Sequence, residues 1–201
     1  MLKVGLTGGL ASGKSFVGET LVRLGCYLIQ ADQLGHEVLM PGGEAFAGVV
    51  EYFGTGILNR EGGINRKKLA AEVFNSPDRL AALNALVHPP VQVRAEALAA
   101  EYATREPRGI VITEAAILIE TGSYRKFDRL ILVVCTEERQ IERAMRRDGS
   151  TREEIAARLR RQMPLTQKRS FADYVIDNSG TRDNTLRQTH AAYDSLRRIQ
   201  A

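Results

Sequence analysis

Residues 2–15 read LKVGLTGGLASGKS. A short apolar run passes straight into Gly8-Gly9-Leu10-Ala11-Ser12-Gly13-Lys14-Ser15, and a helical pattern over 14–24 follows. The spacing G-x-x-x-x-G-K-[ST], set between a strand and a helix, leaves few architectures open. Its glycines let the backbone turn tightly and aim successive N–H groups inward. The helix that starts there adds the positive end of its dipole. Lys14 then reaches the β- and γ-phosphates of a nucleotide, and the Ser15 hydroxyl is a ligand for Mg²⁺. Gly8, Gly9, Ala11, Ser12, Gly13, Lys14, Ser15 and the adjoining Phe16 are therefore candidate nucleotide-binding residues. The plainer alternative is a Gly-rich turn without a ligand.

The rest of the chain continues the alternation. Strands are expected at 26–30, 109–113, 129–135 and 173–178. Helices are expected at 31–40, 66–74, 77–87, 88–106, 137–147, 151–162 and 183–199. Residues 51–64 read as a Gly-rich connection. The segment RLILVVC (129–135) lacks alternation, as a parallel strand covered on both faces should. The pattern predicts an α/β fold of three layers, of the P-loop NTP hydrolase/kinase type, with a five-stranded parallel sheet. Residues 31–108 form a long, mostly helical interval, expected to be an acceptor-binding insertion within a single domain spanning 1–201.

Ligands of such a sheet lie beyond the carboxyl ends of the strands. Asp32 follows the second strand and could take the proton from an acceptor hydroxyl. It could equally cap the helix that begins there. Glu114 follows the third strand in the position of an acid that holds Mg²⁺, directly or through water. A solvated strand-end charge is the other reading. Glu120 is a weaker candidate.

Net charge is +4, with ten basic and four acidic residues between 139 and 169. Arg139, Arg143 and Arg147 share one helix face, and Arg158, Arg161 and Gln162 follow in the next helix. A solvated amphipathic face explains such a tract, but so does an Arg-rich lid over 146–168, bracketed by Gly149 and Pro164, that closes on a transferring phosphoryl group. A nucleic-acid-binding ATPase is a third reading. Against it, no cluster of aromatics interleaves the arginines, and the sequence has no Trp. No N-K-x-D appears for guanine recognition. The two cysteines, Cys26 and Cys135, lack metal or redox spacing and suit a reducing cytoplasm. No apolar run reaches bilayer length and no secretory signal is visible, so a cytoplasmic location is expected. These features together point to a small-molecule kinase.

Several stretches resemble the dephospho-coenzyme A kinase family nearly end to end. They are LTGGLASGKS, ADQLGHEVLMPGGEAF, LNALVHPPV, RAMRRDGSTREEIAARLRRQM and ADYVIDNSG. The resemblance implies ATP-dependent phosphorylation of the ribose 3′-hydroxyl of dephospho-coenzyme A, with ATP and Mg²⁺ and without nucleic acid or membrane. It implies Asp32 as general base, with Lys14, Arg143 and Arg147 on the phosphates. It further implies Asn178 to Gly180 beside the adenine, and His88, Pro89, Glu114 and Leu118 at the acceptor site. Two departures stand out. Gln30-Ala31-Asp32 replaces the family's Asp-Ala-Asp. Glu114-Ala115-Ala116-Ile117-Leu118-Ile119-Glu120 replaces Asp-x-Pro-Leu-Leu-Phe-Glu. Shikimate and nucleoside monophosphate kinases share the architecture and remain alternatives on the residues alone.

Overall fold

The computed structural model describes residues 1–74 and 76–200. The chain divides into two compact units, residues 1–30 with 99–201 and residues 31–98.

The first unit holds a five-stranded sheet of β1 (Leu2–Gly8), β2 (Tyr27–Gln30), β3 (Ile110–Glu114), β4 (Arg129–Val134) and β5 (Tyr174–Asp177). The order is β2-β3-β1-β4-β5, and every pairing is parallel. All strands therefore end on one edge: Leu6 is level with Glu114, Gln30 with Glu114, and Gly8 with Val133. Val4, Leu6, Ile112, Ile131, Val133 and Ile176 face one side. There they pack on Val17 and Leu21 of α1 (Lys14–Arg23) and on Ala192 and Leu196 of α9 (Arg182–Gln200). Helix α9 buries Thr185, Thr189, Ala192 and Leu196, a 4-3-4 spacing that puts them on one stripe. Val111, Leu130, Leu132 and Val134 are buried as well. Burial of both strand faces is why the strand sequences read as unbroken apolar runs.

Helix α6 (Glu137–Asp148) begins at a Thr136 cap, whose hydroxyl accepts from the Arg139 amide, and stops at the left-handed Gly149. Helix α7 (Arg152–Arg160) opens with a complete capping box between Thr151 and Glu154. A short helix α8 (Leu165–Lys168) then leads towards β5.

The second unit contains α2 (Ala31–Glu37), α3 (Phe46–Phe53), α4 (Arg66–Phe74) and the larger part of α5 (Pro77–Arg105). Its core is Val38, Val49, Phe53, Ile57 and Leu69. Arg94 bridges Glu37 at 3.1 Å and Glu44 at 2.9 Å. The last turns of α5 belong to the sheet unit, where Tyr102 stacks on Tyr27 with centroids 4.8 Å apart.

Three expectations need correction. Helix α5 does not break at His88; it runs unbroken through Pro89 and Pro90. Each proline removes one amide donor and strains the turn before it. Here Leu83, Leu86, Val87 and Val91, on both sides of the pair, pack against the same core, and this keeps the axis continuous. Helix α3 was not expected. Pro41-Gly42-Gly43 reads as a break and 51–64 as a connection, yet Val49 and Phe53 are buried on its inner side. Finally, β1 extends to Gly8, so the strand itself delivers the loop.

Cys26 and Cys135 are free and buried. Burial pushes the Cys26 thiol up to about 12, against the opposing pull of Arg197. Burial raises Cys135 too. Neither thiol should react with a disulfide reagent in the native protein at mildly alkaline pH, and both should react in denaturant. Fast native labelling of either would contradict this. Among the described residues, no helix is long and apolar enough to cross a membrane.

Candidate active site

Residues 8–15 connect β1 to α1 at the carboxyl edge of the sheet, and their shape depends on neighbours that occupy the space of missing side chains. A Cβ on Gly13 would stand 1.9 Å from Asn178 Nδ2, and Gly13 has φ of 98°, the left-handed region. A Cβ on Gly9 would stand 2.3 Å from Gln140 Nε2. Glycine at these two positions lets other parts of the fold reach the loop backbone.

Asn178, just past β5, is buried. Its amide donates to Ser12 O at 2.8 Å, and its Oδ1 accepts from Thr185 Oγ1 at 3.0 Å. Arg143 of α6 donates to the same Ser12 carbonyl at 3.5 Å and to Asn178 O at 3.1 Å. Ser12 itself is fully buried. The Lys14 ammonium lies over the loop, 3.4 Å from Gly8 O and 3.3 Å from Gly9 O. Phe16 lies beneath the Arg182 guanidinium at 4.8 Å, and Gly180 is exposed.

Ser15 Oγ donates to Glu114 Oε1 at 3.3 Å. The second residue of α1 and the last residue of β3 thus present a hydroxyl and a carboxylate side by side. Both are hard oxygen donors. This set fits Mg²⁺, which takes one or two protein oxygens and completes its shell with phosphate and water. No group of three or more His, Cys, Asp and Glu that could hold a metal converges among the described residues. A cage made of protein ligands alone is therefore not on offer.

Arg147, Arg152 and Arg158 of the basic tract are in ion pairs. Arg147 and Arg158, from α6 and α7, both meet Asp148 at 2.7 Å. Their hydrogen bonds, that of Arg147 first, hold the Asp148 carboxyl at about 2. Arg152 pairs with Glu138. Ile155 of α7 is fully buried with Ile141 and Ala144 of α6, and Leu10, Ala11 and Leu159 pack against this cluster.

In the second unit, Asp32 is the second residue of α2 and is exposed. It lies in the first turn of the helix. His36 lies one turn further on. Its pKa is lowered by burial first and by Arg66 second, with Asp32 opposing. His88 is half-buried in α5 and burial lowers its pKa, while Pro89 is exposed. Leu118, in the first unit, is 6 % exposed and packs under Gly5 of β1.

Sequence reasoning missed Gln140, Glu120 as a structural partner, and Lys168. Lys168 is 0 % exposed and pairs with Glu120 at 2.7 Å. Its position among polar neighbours in LTQKRS offers no periodic signal of burial. Gln140 adjoins the predicted basic face but turns to the loop, donating to Leu10 O at 2.7 Å.

The dephospho-CoA kinase family model matches residues 2–184. A dephospho-CoA kinase of Aquifex aeolicus is 38% identical over 198 residues, covering 98% of this chain and 99% of the relative. One of Geobacillus kaustophilus is 42% identical over 188 residues, covering 93% of this chain and 92% of the relative. The crystal structure of TT1252 from Thermus thermophilus superposes with a TM-score of 0.83 at 31% identity, covering 96% of both chains. With a match of this length, the chain belongs to the dephospho-CoA kinase family.

Proposed function

We propose that the protein transfers the γ-phosphoryl group of ATP to the ribose 3′-hydroxyl of dephospho-coenzyme A, giving coenzyme A and ADP, the last step of coenzyme A synthesis. Family membership over nearly the whole chain is the observation that carries this reading. Gly8–Ser15 with Lys14 receives the ATP phosphates. Ser15 and Glu114 hold Mg²⁺, which neutralises phosphate charge when bound. Asp32 accepts the proton of the attacking hydroxyl. Arg143 and Arg147 belong to the phosphate side, and Asn178 to Gly180 border the adenine. His88 and Pro89 belong to the acceptor lobe. The two free cysteines agree with a reducing cytoplasm.

Two alternatives are less favoured. Shikimate and nucleoside monophosphate kinases share the architecture but not the family match. A nucleic-acid-binding ATPase likewise lacks the family match, and no cluster of aromatics interleaves the arginines.

The test is ADP release coupled to an indicator reaction, with ATP and Mg²⁺, across dephospho-coenzyme A, shikimate and nucleoside monophosphates. Strong stimulation by dephospho-coenzyme A alone is expected. Stimulation by another acceptor, or by none, would remove the proposal.

A further inference from the structure

Leu10 stands at the crest of the phosphate loop, and side chains from outside the loop hold both of its backbone polar groups. Its N–H donates to Gln162 Oε1 at 2.9 Å. Its carbonyl accepts from Gln140 Nε2 at 2.7 Å. Gln140 is 4 % exposed, and the absence of a side chain at Gly9 leaves room for its amide. The residue after Leu10, Ala11, has φ of 51°, a left-handed conformation that a non-glycine residue does not hold without support. The Leu10 side chain packs on the cluster that includes Ile155 and Leu159 of α7.

Gln162 lies two residues beyond α7, and the chain after it is fastened. The Met163 amide donates to Glu120 Oε1 at 3.3 Å, and Lys168 pairs with the same oxygen at 2.7 Å. Lys168 also reaches Ala116 O at 3.5 Å. The segment that follows the arginine-bearing helix is thus tied to the phosphate loop at one end and to the turn after β3 at the other.

We propose that Gln140 and Gln162 are positioning residues for the donor phosphates. They fix the Leu10 peptide from both sides, so that the N–H groups that follow are aimed before the nucleotide arrives. The inference rests on the reading of this loop as the ATP site. A loop ordered in advance pays less ordering entropy on binding. Gln162 has a second consequence. It arrives with the segment behind α7, so moving that segment away frees the Leu10 amide. Loop order and the docking of α7 are then linked, and the linkage is reciprocal: nucleotide in the loop holds α7 down as much as docked α7 favours nucleotide.

The test compares Gln162→Met, which keeps length and removes the acceptor, with Gln162→Ala and Gln140→Met. Three quantities are measured: the ATP dissociation constant without acceptor, KM for each substrate, and hydrogen exchange at the Leu10 amide. Loss of one such hydrogen bond should weaken ATP binding about three- to tenfold. Leu10 exchange should accelerate, while kcat at saturating ATP and KM for dephospho-coenzyme A change less than about twofold. Gln140→Met should act in the same direction, and the double variant should fall short of the sum, because both side chains hold one peptide.

A purely structural role would move KM for both substrates together and lower thermal stability in proportion, and that result overturns the proposal. So does wild-type ATP affinity in Gln162→Met. If buried Gln140 cannot be replaced without unfolding, half-buried Gln162 decides the matter alone. If ATP affinity falls as expected while dephospho-coenzyme A is never phosphorylated, the positioning role stands and the acceptor assignment fails.

Discussion

Asp32→Asn is expected to lower turnover by about a hundredfold or more while ATP binding stays close to wild type. The substitution keeps side-chain shape and removes only the carboxylate's capacity to take a proton. Asp32 is exposed on the first turn of α2, so the change should cost little stability. The residues read as the ATP site belong to the other compact unit, residues 1–30 with 99–201. ATP affinity should therefore report on that unit alone. Steady-state kinetics over a range of pH, with calorimetric ATP titration, separate the two effects. Near-wild-type turnover in Asp32→Asn would remove Asp32 from the chemistry.

The second large effect concerns stability, and it turns on which half of an ion pair is removed. Lys168 is 0 % exposed, whereas the Glu120 side chain retains 22 % exposure. Replacing Glu120 by Leu leaves an ammonium in the interior whose remaining hydrogen-bond partner among the described residues is Ala116 O at 3.5 Å. That charge is left without its carboxylate in the interior, and breaking a buried pair in this way costs about 3–5 kcal/mol. Lys168→Met leaves a carboxylate that water can still reach and that keeps the Met163 amide as a donor. Its cost should be smaller, about 1–3 kcal/mol. Urea denaturation of the two variants tests the order. Equal losses, or a greater loss in Lys168→Met, would contradict the account of the pair.

These two cases differ in how they could be found. Asp32 can be named as a candidate from sequence because an acid two residues past a strand is a local pattern, and ligands of such a sheet lie beyond the strand ends. Glu120 and Lys168 lie 48 positions apart, and the burial of a lysine carries no local signature. The same contrast holds within the phosphate loop. Its spacing announces Lys14 and Ser15, but Gln140, Gln162 and Asn178 arrive from three later segments. Their amides meet the loop backbone only because α6, the end of α7 and β5 converge there. The prolines of α5 show the reverse error. Local rules predict a break at His88, yet apolar residues on both sides of Pro89 and Pro90 share one core. Their packing outweighs the lost backbone hydrogen bonds.

The sequence by itself determined the alternation of parallel strands and helices, the glycine-rich loop with its Lys14-Ser15 end, and the family resemblance. All three are written in short-range spacing of apolar residues, glycines and a few charges. Only the tertiary structure decided which side chains hold that loop in shape, which arginines are already engaged by Asp148, and where a lysine is buried against its carboxylate. Those outcomes depend on residues far apart in the chain being brought within hydrogen-bond distance. Hydrogen bonds act over about 3 Å, a scale on which sequence separation carries no information.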